Sequence, residues 1–343
     1  MRVDLDALVP EGWDTYVESH PAATAYHRSA AVRVGAEAFR LRTYFLSARD
    51  GQGRLAGVLP VVEQSSLLFG RFLVSVPFFT YGGVLADSPE ATQALATAAA
   101  DLAGRRGVAH VELRHSEAVP ALTLPERLDK VSMVLPLPSS EEALSKQLGS
   151  KLRSQIKRAE REQVEVVWGD TQLLSEFYDV FAPAMHRLGT PVYPRRFFEI
   201  ACRAFGALGR VLIVRSQGQP QAAAIIVRHG RRIEVPWAAA TEAAKRGAIN
   251  MRMYWEMLRY SIAAGAEAFD FGRSTVDSGT YRFKAQWGAA PVQLHWHYWL
   301  RKGGELPKLN QSNPKYARAA DLWRRMPLWC ANLIGPYIIR NLP

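Results

Sequence analysis

Cysteine is nearly absent from this 343-residue sequence. Cys202 and Cys330 lie far apart and form no CxxC, which excludes a disulfide framework and a thiolate zinc site. No apolar run approaches the roughly 20 residues that a membrane span requires. The opening MRVDLDALVPEGWD carries acids where a signal peptide needs a basic start, so a cytoplasmic chain is expected. The signatures GxSxG, HExxH, GxxxxGK(S/T) and GxGxxG are all missing. His295 and His297 share one face of an expected strand, but no third ligand accompanies them. Trp296, Tyr298 and Trp299 flank the pair, so strand packing is preferred and no metal is expected.

What the sequence does have is apolar content of 48%, enough for real cores, with 22% charged residues. Its length suits two domains. The formal charge of +11 favours a polyanion: RNA, a phosphate-bearing cofactor or anionic lipid. A protein that is simply basic is the competing reading.

Residues 39–86 read as successive strands at 41–47, 55–62, 67–76 and 78–84. Ser88 and Pro89 then open an alanine-rich helix that Gly104 or Gly107 closes. Strands follow at 108–114 and 131–137. A second unit begins with one long helix over 140–161, marked by Leu144, Leu148, Leu152 and Ile156. After it come a strand at 164–168, helices at 173–188 and 195–205, and a meander over 211–238. A helix at 248–264 and strands at 267–271 and 291–300 complete that unit. The pattern predicts an α/β (α+β) fold of two mixed sheets flanked by helices, with domains at 1–138 and 139–301. Residues 302–343 form a linker and an amphipathic basic helical tail. Its Leu328, Trp329, Leu333, Ile334, Tyr337, Ile338 and Ile339, with nearby arginines, suit either an anionic membrane surface or packing back onto the body, which is preferred.

Three constellations can carry chemistry. At 269–288 a strand ends at Phe271, Gly272 permits a sharp exit, and Arg273 and Ser274 reach the strand's C-terminal edge. Tyr281, Phe283 and Lys284 follow, and a lysine beside an aromatic ring offers a fixed charge to an oxyanion. Lys245, Arg246 and Gly247 precede a helix whose N-terminal amides suit a phosphate; plain helix initiation competes with that reading. Lys151, Arg153, Lys157, Arg158 and Arg161 cluster, and Arg153, Lys157 and Arg161 form a basic column that can track phosphates, although a solvated helix face is preferred. No general base stands out; Asp270, Glu234 and His186 are the available guesses.

Several of these motifs resemble the FemAB-like family, especially the branch found with exopolysaccharide and exosortase systems. They are FTYGG at 79–83, SKLRSQIK at 150–157, FGRST at 271–275 and, most specific, GTYRFKAQWG at 279–288. The resemblance implies two tandem GNAT-like domains and attack of an acceptor amine on an activated acyl ester or thioester. Carried over, Phe283 and Lys284 match the pair that supports the tetrahedral intermediate. Tyr281, Arg273, Ser274, Trp237 and Tyr81 are substrate-pocket candidates. Lys245, Arg246, Gly247, Lys151 and Arg153 are candidates for the donor phosphates. The implied donor is aminoacyl-tRNA, acyl-CoA or an acylated carrier protein, with no tightly bound cofactor. The implied acceptor is an amine of a cell-envelope or exopolysaccharide precursor, with peripheral contact at the inner membrane face through the tail.

Overall fold

A computed structural model of the chain describes residues 1–66, 70–307 and 314–341. Its strands are β1 (Arg2–Asp6), β2 (Arg42–Arg49), β3 (Leu55–Ser66), β4 (Gly70–Val74) and β5 (Leu85–Ala86). Then come β6 (His110–His115), β7 (Glu126–Arg127), β8 (Val131–Pro136), β9 (Val164–Gly169) and β10 (Gly209–Ser216). The last are β11 (Gln219–His229), β12 (Arg232–Ala240), β13 (Ala268–Ser274), β14 (Ala290–Gln293) and β15 (His295–Leu300). They form two sheets, β1-β2-β3-β4-β6-β15-β7 with β5 on β3, and β14-β8-β13-β12-β11-β10-β9.

The chain divides into two compact units that differ from the expected domains. The first holds Met1–Ser132 and Val292–Lys308, the second Met133–Pro291 and Leu309–Arg340. Two strands account for the difference. The expected strand at 131–137 ends the first domain in sequence, yet β8 lies beside β13 in the second sheet. The expected single strand at 291–300 is two, β14 in the second sheet and β15, which pairs with β6 in the first. Sequence order therefore misassigned both, because ladder partners and not chain neighbours decide membership.

In the first unit the helix Pro89–Arg106 begins and ends on local chemistry. Ser88 Oγ accepts from Ala91 N at 3.2 Å, and Gly107 takes a left-handed φ of 67°. Its Leu95, Ala99 and Leu102 bury against Leu46, Leu59, Val61 and Leu113. Side chains alternate across a strand, so Phe45 faces the other way and meets Trp13 edge-on at 5.0 Å. The helices Trp13–Ser19 and Ser29–Phe39, which sequence reading passed over, belong to that second face. The expected strand at 78–84 is a loop, since Pro77 removes a donor and Val76 and Phe78 adopt positive φ. Part of the expected strand at 67–76 lies outside the described residues; β4 is the rest.

In the second unit Val211, Leu212, Ile213 and Val214 of β10 are all buried, so both faces of the sheet are covered. The helices Leu174–Arg187 and Ile249–Ala263 pack on β10, β11 and β12 and supply that cover. The single long helix expected over 140–161 is two, Glu141–Gln147 and Ser150–Glu160. Leu148 turns extended between them, ahead of Gly149, and this breaks the leucine stripe. The helix Ser150–Glu160 packs on Ile249–Ala263 through Leu152, Ile156 and Ala159. The tail is helical at Pro314–Arg325 and Leu328–Ile339, and both helices pack on Leu174–Arg187.

Candidate active site at the end of a parallel strand pair

β12 and β13 are joined by the helices Glu242–Arg246 and Ile249–Ala263 and run parallel. Their ladder holds Arg232↔Ala268, Ile233↔Phe269 and Glu234↔Asp270 and stops there, although both strands continue. Both leave it for local reasons. On β12, Ile225 and Val227 of β11 face Trp237 and Glu234, so an extra residue bulges around Val235 and Pro236, and proline has no N–H to give. On β13, Gly272 takes a φ of +76° and its N–H turns back to Asp270 Oδ1 at 2.8 Å. Such a gap beyond the carboxyl ends of parallel strands is where ligands bind in open α/β sheets.

Lys284 occupies this level. It comes from the short helix Gly279–Ala285, which is capped by Ser278 Oγ accepting from Tyr281 N at 3.2 Å. The ammonium donates to the carbonyls of Gly272 at 2.8 Å and Arg273 at 2.9 Å, and the side chain is 8% exposed. An ammonium has three donors, and these carbonyls take two; among the described residues no protein group takes the third. Burial pushes the amine down from the usual 10.5 to about 8; Asp270 and Glu234 oppose this and the Arg273 charge adds to it. Asp270 is itself fully buried and bound to Arg232 at 2.6 Å, so it is a structural carboxylate rather than an idle base. Glu234 is also buried. His186 is half-buried and its Nε2 meets the Trp323 carbonyl at 2.9 Å.

Beside the lysine, Ser274 is buried and its Oγ has no hydrogen-bond partner among the described residues. Leaving a hydroxyl so costs about 1–3 kcal/mol unless a ligand completes it. An aromatic wall supports the helix Gly279–Ala285. Phe283 meets Tyr254 edge-on at 5.0 Å, and Tyr254 stacks on Phe271 at 5.6 Å and lies 6.0 Å from Trp287. Burial pushes the Tyr254 hydroxyl up to about 12, keeping it neutral. Phe283 thus anchors the helix that carries Lys284. Sequence reading missed Tyr254; its one signal was a tyrosine on the helix preceding the FGRST strand.

The other expected residues divide. Arg273 is exposed and Tyr281 half-buried at this same strand end. Trp237 is instead buried between Phe197 and Phe198, edge-on at 5.6 and 5.4 Å, so it is core and not pocket. Tyr81 lies in the first unit, buried beside Tyr26 at 5.6 Å. At the expected phosphate site, the helix Ile249–Ala263 starts after Ala248 with φ 62° and no side-chain cap. Its first-turn amides therefore lack a side-chain acceptor. Lys245 pairs with Glu242 at 2.8 Å; such an exposed pair is worth at most about 1 kcal/mol, so a phosphate can displace it. Arg246 is exposed. Gly247 approaches Glu162 so nearly that a Cβ would lie 3.1 Å from its carboxyl carbon, which sets a negative charge beside that site. Lys151 is exposed at the start of its helix. Arg153 is a correction: its guanidinium donates to the Leu148 and Ser145 carbonyls, closing the helix Glu141–Gln147.

His295 and His297 are also engaged. His297 Nδ1 meets His115 Nδ1 at 3.1 Å, and His295 Nδ1 bonds Glu126. Val84 N–H donates to His115 Nε2 at 3.0 Å, so His115 carries its proton on Nδ1 and donates it to His297. Burial pushes His115 down to about 3, and the pair stays neutral. Among the described residues no group of three or more ligands is arranged to hold a metal.

With this geometry in hand, residues 146–285 match the acetyltransferase (GNAT) domain family. No curated protein matches the chain in sequence. Among solved structures, FemX is 14% identical, with a TM-score of 0.68 over 85% of this chain and 96% of that one. L-PGS from Bacillus licheniformis is 13% identical, with a TM-score of 0.60 over 93% of this chain and 98% of that one. A tandem GNAT protein from the clavulanic acid biosynthesis pathway is 12% identical, with a TM-score of 0.53 over 89% and 100%. At such identities the likeness is one of fold: mixed α/β, with two sheets flanked by helices in a tandem GNAT-like arrangement.

Proposed function

We propose that the chain is an acyltransferase that moves an activated acyl or aminoacyl group onto an amine. The observation that carries this reading is the buried Lys284 ammonium at the point where the β12–β13 ladder ends, with one N–H left over. The neutral acceptor nitrogen attacks the donor's carbonyl carbon. The C–O π pair moves onto oxygen, and Lys284 stabilises that oxyanion. The oxyanion then collapses, the bond to the thiolate or alkoxide leaving group breaks, and the proton shed by the amine nitrogen is taken up by the leaving group or solvent. Ser274 Oγ is suited to hold the acceptor or the carbonyl, and Phe283 to fix the lysine's helix.

Two donors fit. Acyl-CoA is favoured by the GNAT match across 146–285. Its phosphates would lie at the first turn of Ile249–Ala263, with Lys245 and Arg246 at hand. Aminoacyl-tRNA or an acylated carrier protein is the second, supported by the +11 charge and the FemAB-like motifs. The exopolysaccharide-branch resemblance points to an amino sugar or envelope-precursor amine as acceptor. Purified protein incubated with labelled acetyl-CoA, or separately with charged tRNA, and with glucosamine as a probe acceptor tests this. Transfer from either donor is expected. Folded protein that retains neither donor and transfers neither label would overturn both of these donors and leave a binder or an enzyme fed by an acylated carrier protein.

A further inference from the structure

The two tail helices raise a question that acyl transfer does not answer. Pro314–Arg325 is seated firmly: a Cβ on Gly189 would lie 2.8 Å from that of Ala320, and His186 bonds the Trp323 carbonyl. Leu328–Ile339 turns Ala331, Gly335 and Ile339 inward, four residues apart each time, and Gly335 lies against the Val192 backbone. This is the packing against the body that the sequence favoured. A helix that closes a core in this way should be polar on its outer face. This one is not. Trp329, Leu333 and Tyr337, again four apart, are 69%, 64% and 63% exposed. Ile334 and Ile338 widen the stripe, and Leu322 of the preceding helix is 68% exposed. Six of the thirteen exposed large apolar side chains among the described residues thus lie between 322 and 338, five of them on the single helix Leu328–Ile339, where they form a patch and not scatter.

Charge around it is mainly positive, although Asp321 pairs with Arg324. The sequence over 314–341 carries five lysines and arginines against one acid, Asp321. Arg318, Arg324, Arg325 and Arg340 are exposed, and the Arg340 guanidinium lies 5.7 Å from the Tyr337 ring centre.

We propose that this face docks flat on an anionic lipid bilayer, the Trp329–Leu333–Tyr337 stripe entering the boundary between headgroups and acyl chains and the arginines meeting lipid phosphates. The stripe runs along the ridge of a single helix, which suits a flat, deformable surface. Tryptophan and tyrosine have the half-apolar rings that settle at that boundary. Among the described residues no helix is long and apolar enough to cross a membrane, so the contact lies on the bilayer and does not span it. The proposal stands independently of acyl transfer.

Full-length protein floated with vesicles tests it. Recovery with phosphatidylcholine vesicles containing phosphatidylglycerol, little with phosphatidylcholine alone, and loss at high salt are expected. Each of Arg324→Ala and Arg325→Ala should lower partitioning about 5-fold, the effect of about 1 kcal/mol per basic residue. Leu333→Asp should abolish it while the melting temperature holds. Equal recovery with both vesicle types, recovery with neither, or unaltered binding by Leu333→Asp would overturn the proposal. So would a dimer that Leu333→Asp dissolves in the absence of vesicle binding, which would assign the face to a second copy. If Leu333→Asp does not fold, the arginine variants and the wild-type lipid dependence carry the test.

Discussion

Each unit contains a parallel strand pair joined through a helix, β4 and β6 in the first, β12 and β13 in the second, and the two pairs end differently. In the first, the chain's own loop closes the end. Ser75 N donates to Glu112 O at 2.9 Å, Gly82 N to Arg114 O at 3.0 Å, and Arg114 to Phe79 O at 2.8 Å. Glu112, fully buried, takes Arg114 at 2.7 Å and the Tyr298 hydroxyl at 2.6 Å. Burial alone would raise its carboxyl, but Arg114 and Tyr298 more than offset this and hold it below the ordinary range. In the second, the bulge and Gly272 leave a lysine held by carbonyls and a serine hydroxyl with no partner among the described residues. One architecture thus serves twice, once as a sealed support and once as a strand end where the ladder stops short. The polar groups at the end decide which.

The comparison breaks or sharpens under substitution. The largest expected effect is on the sealed side: Glu112→Ala strands the Arg114 charge and should cost about 3–5 kcal/mol in a denaturation midpoint. Turnover per folded molecule should not move; if it fell as for Lys284, the first unit would not be mere support. At the β12–β13 end, Lys284→Ala should lower turnover by about one to three orders of magnitude, read from initial rates. Unchanged turnover in a folded variant would remove the lysine from the chemistry.

The third prediction is in pH. The folded Lys284 titrates near 8 and the unfolded one near 10.5, so between those values the unfolded chain binds more protons. Its burial penalty, on the order of 3 kcal/mol, is fully present below pH 8 and is relieved as pH rises through this window. Turnover should therefore fall across the window where stability rises. Lys284→Met should lack both trends, and chemical denaturation beside rate profiles would detect it if the variant kept either. The smallest effect belongs to Ser274→Ala, which should leave stability unchanged or raise it by about 1 kcal/mol, since it deletes a buried hydroxyl with no partner. Its turnover should fall several-fold. Loss of stability there would mean that the hydroxyl is already satisfied.

Legibility followed distance along the chain. The helix Pro89–Arg106 was readable because Ser88, Pro89 and Gly107 mark its ends within its own sequence. The meander β10–β12 was readable from its turn residues and apolar runs. Lys284 could be named from its motif, but its setting could not. The carbonyls that hold it belong to residues 11 and 12 positions earlier, and the Asp270–Arg232 pair spans 38. Trp237 and Arg153 looked like site residues because aromatic and basic side chains suit ligands; packing on Phe197 and closure of a helix claimed them. The membership of β8 and β15 was beyond local pattern, since either strand reads the same whichever sheet receives it.

That last feature bears on how the protein is made. β15 is synthesised after nearly all of the second unit, yet it lies between β6 and β7 in the first sheet. A nascent chain halted near residue 138 therefore holds β6 with one edge bare and β7 with nothing to pair against. Cutting the gene at that apparent domain boundary should yield aggregating fragments, since a bare strand edge recruits other chains. The two halves mature together or not at all.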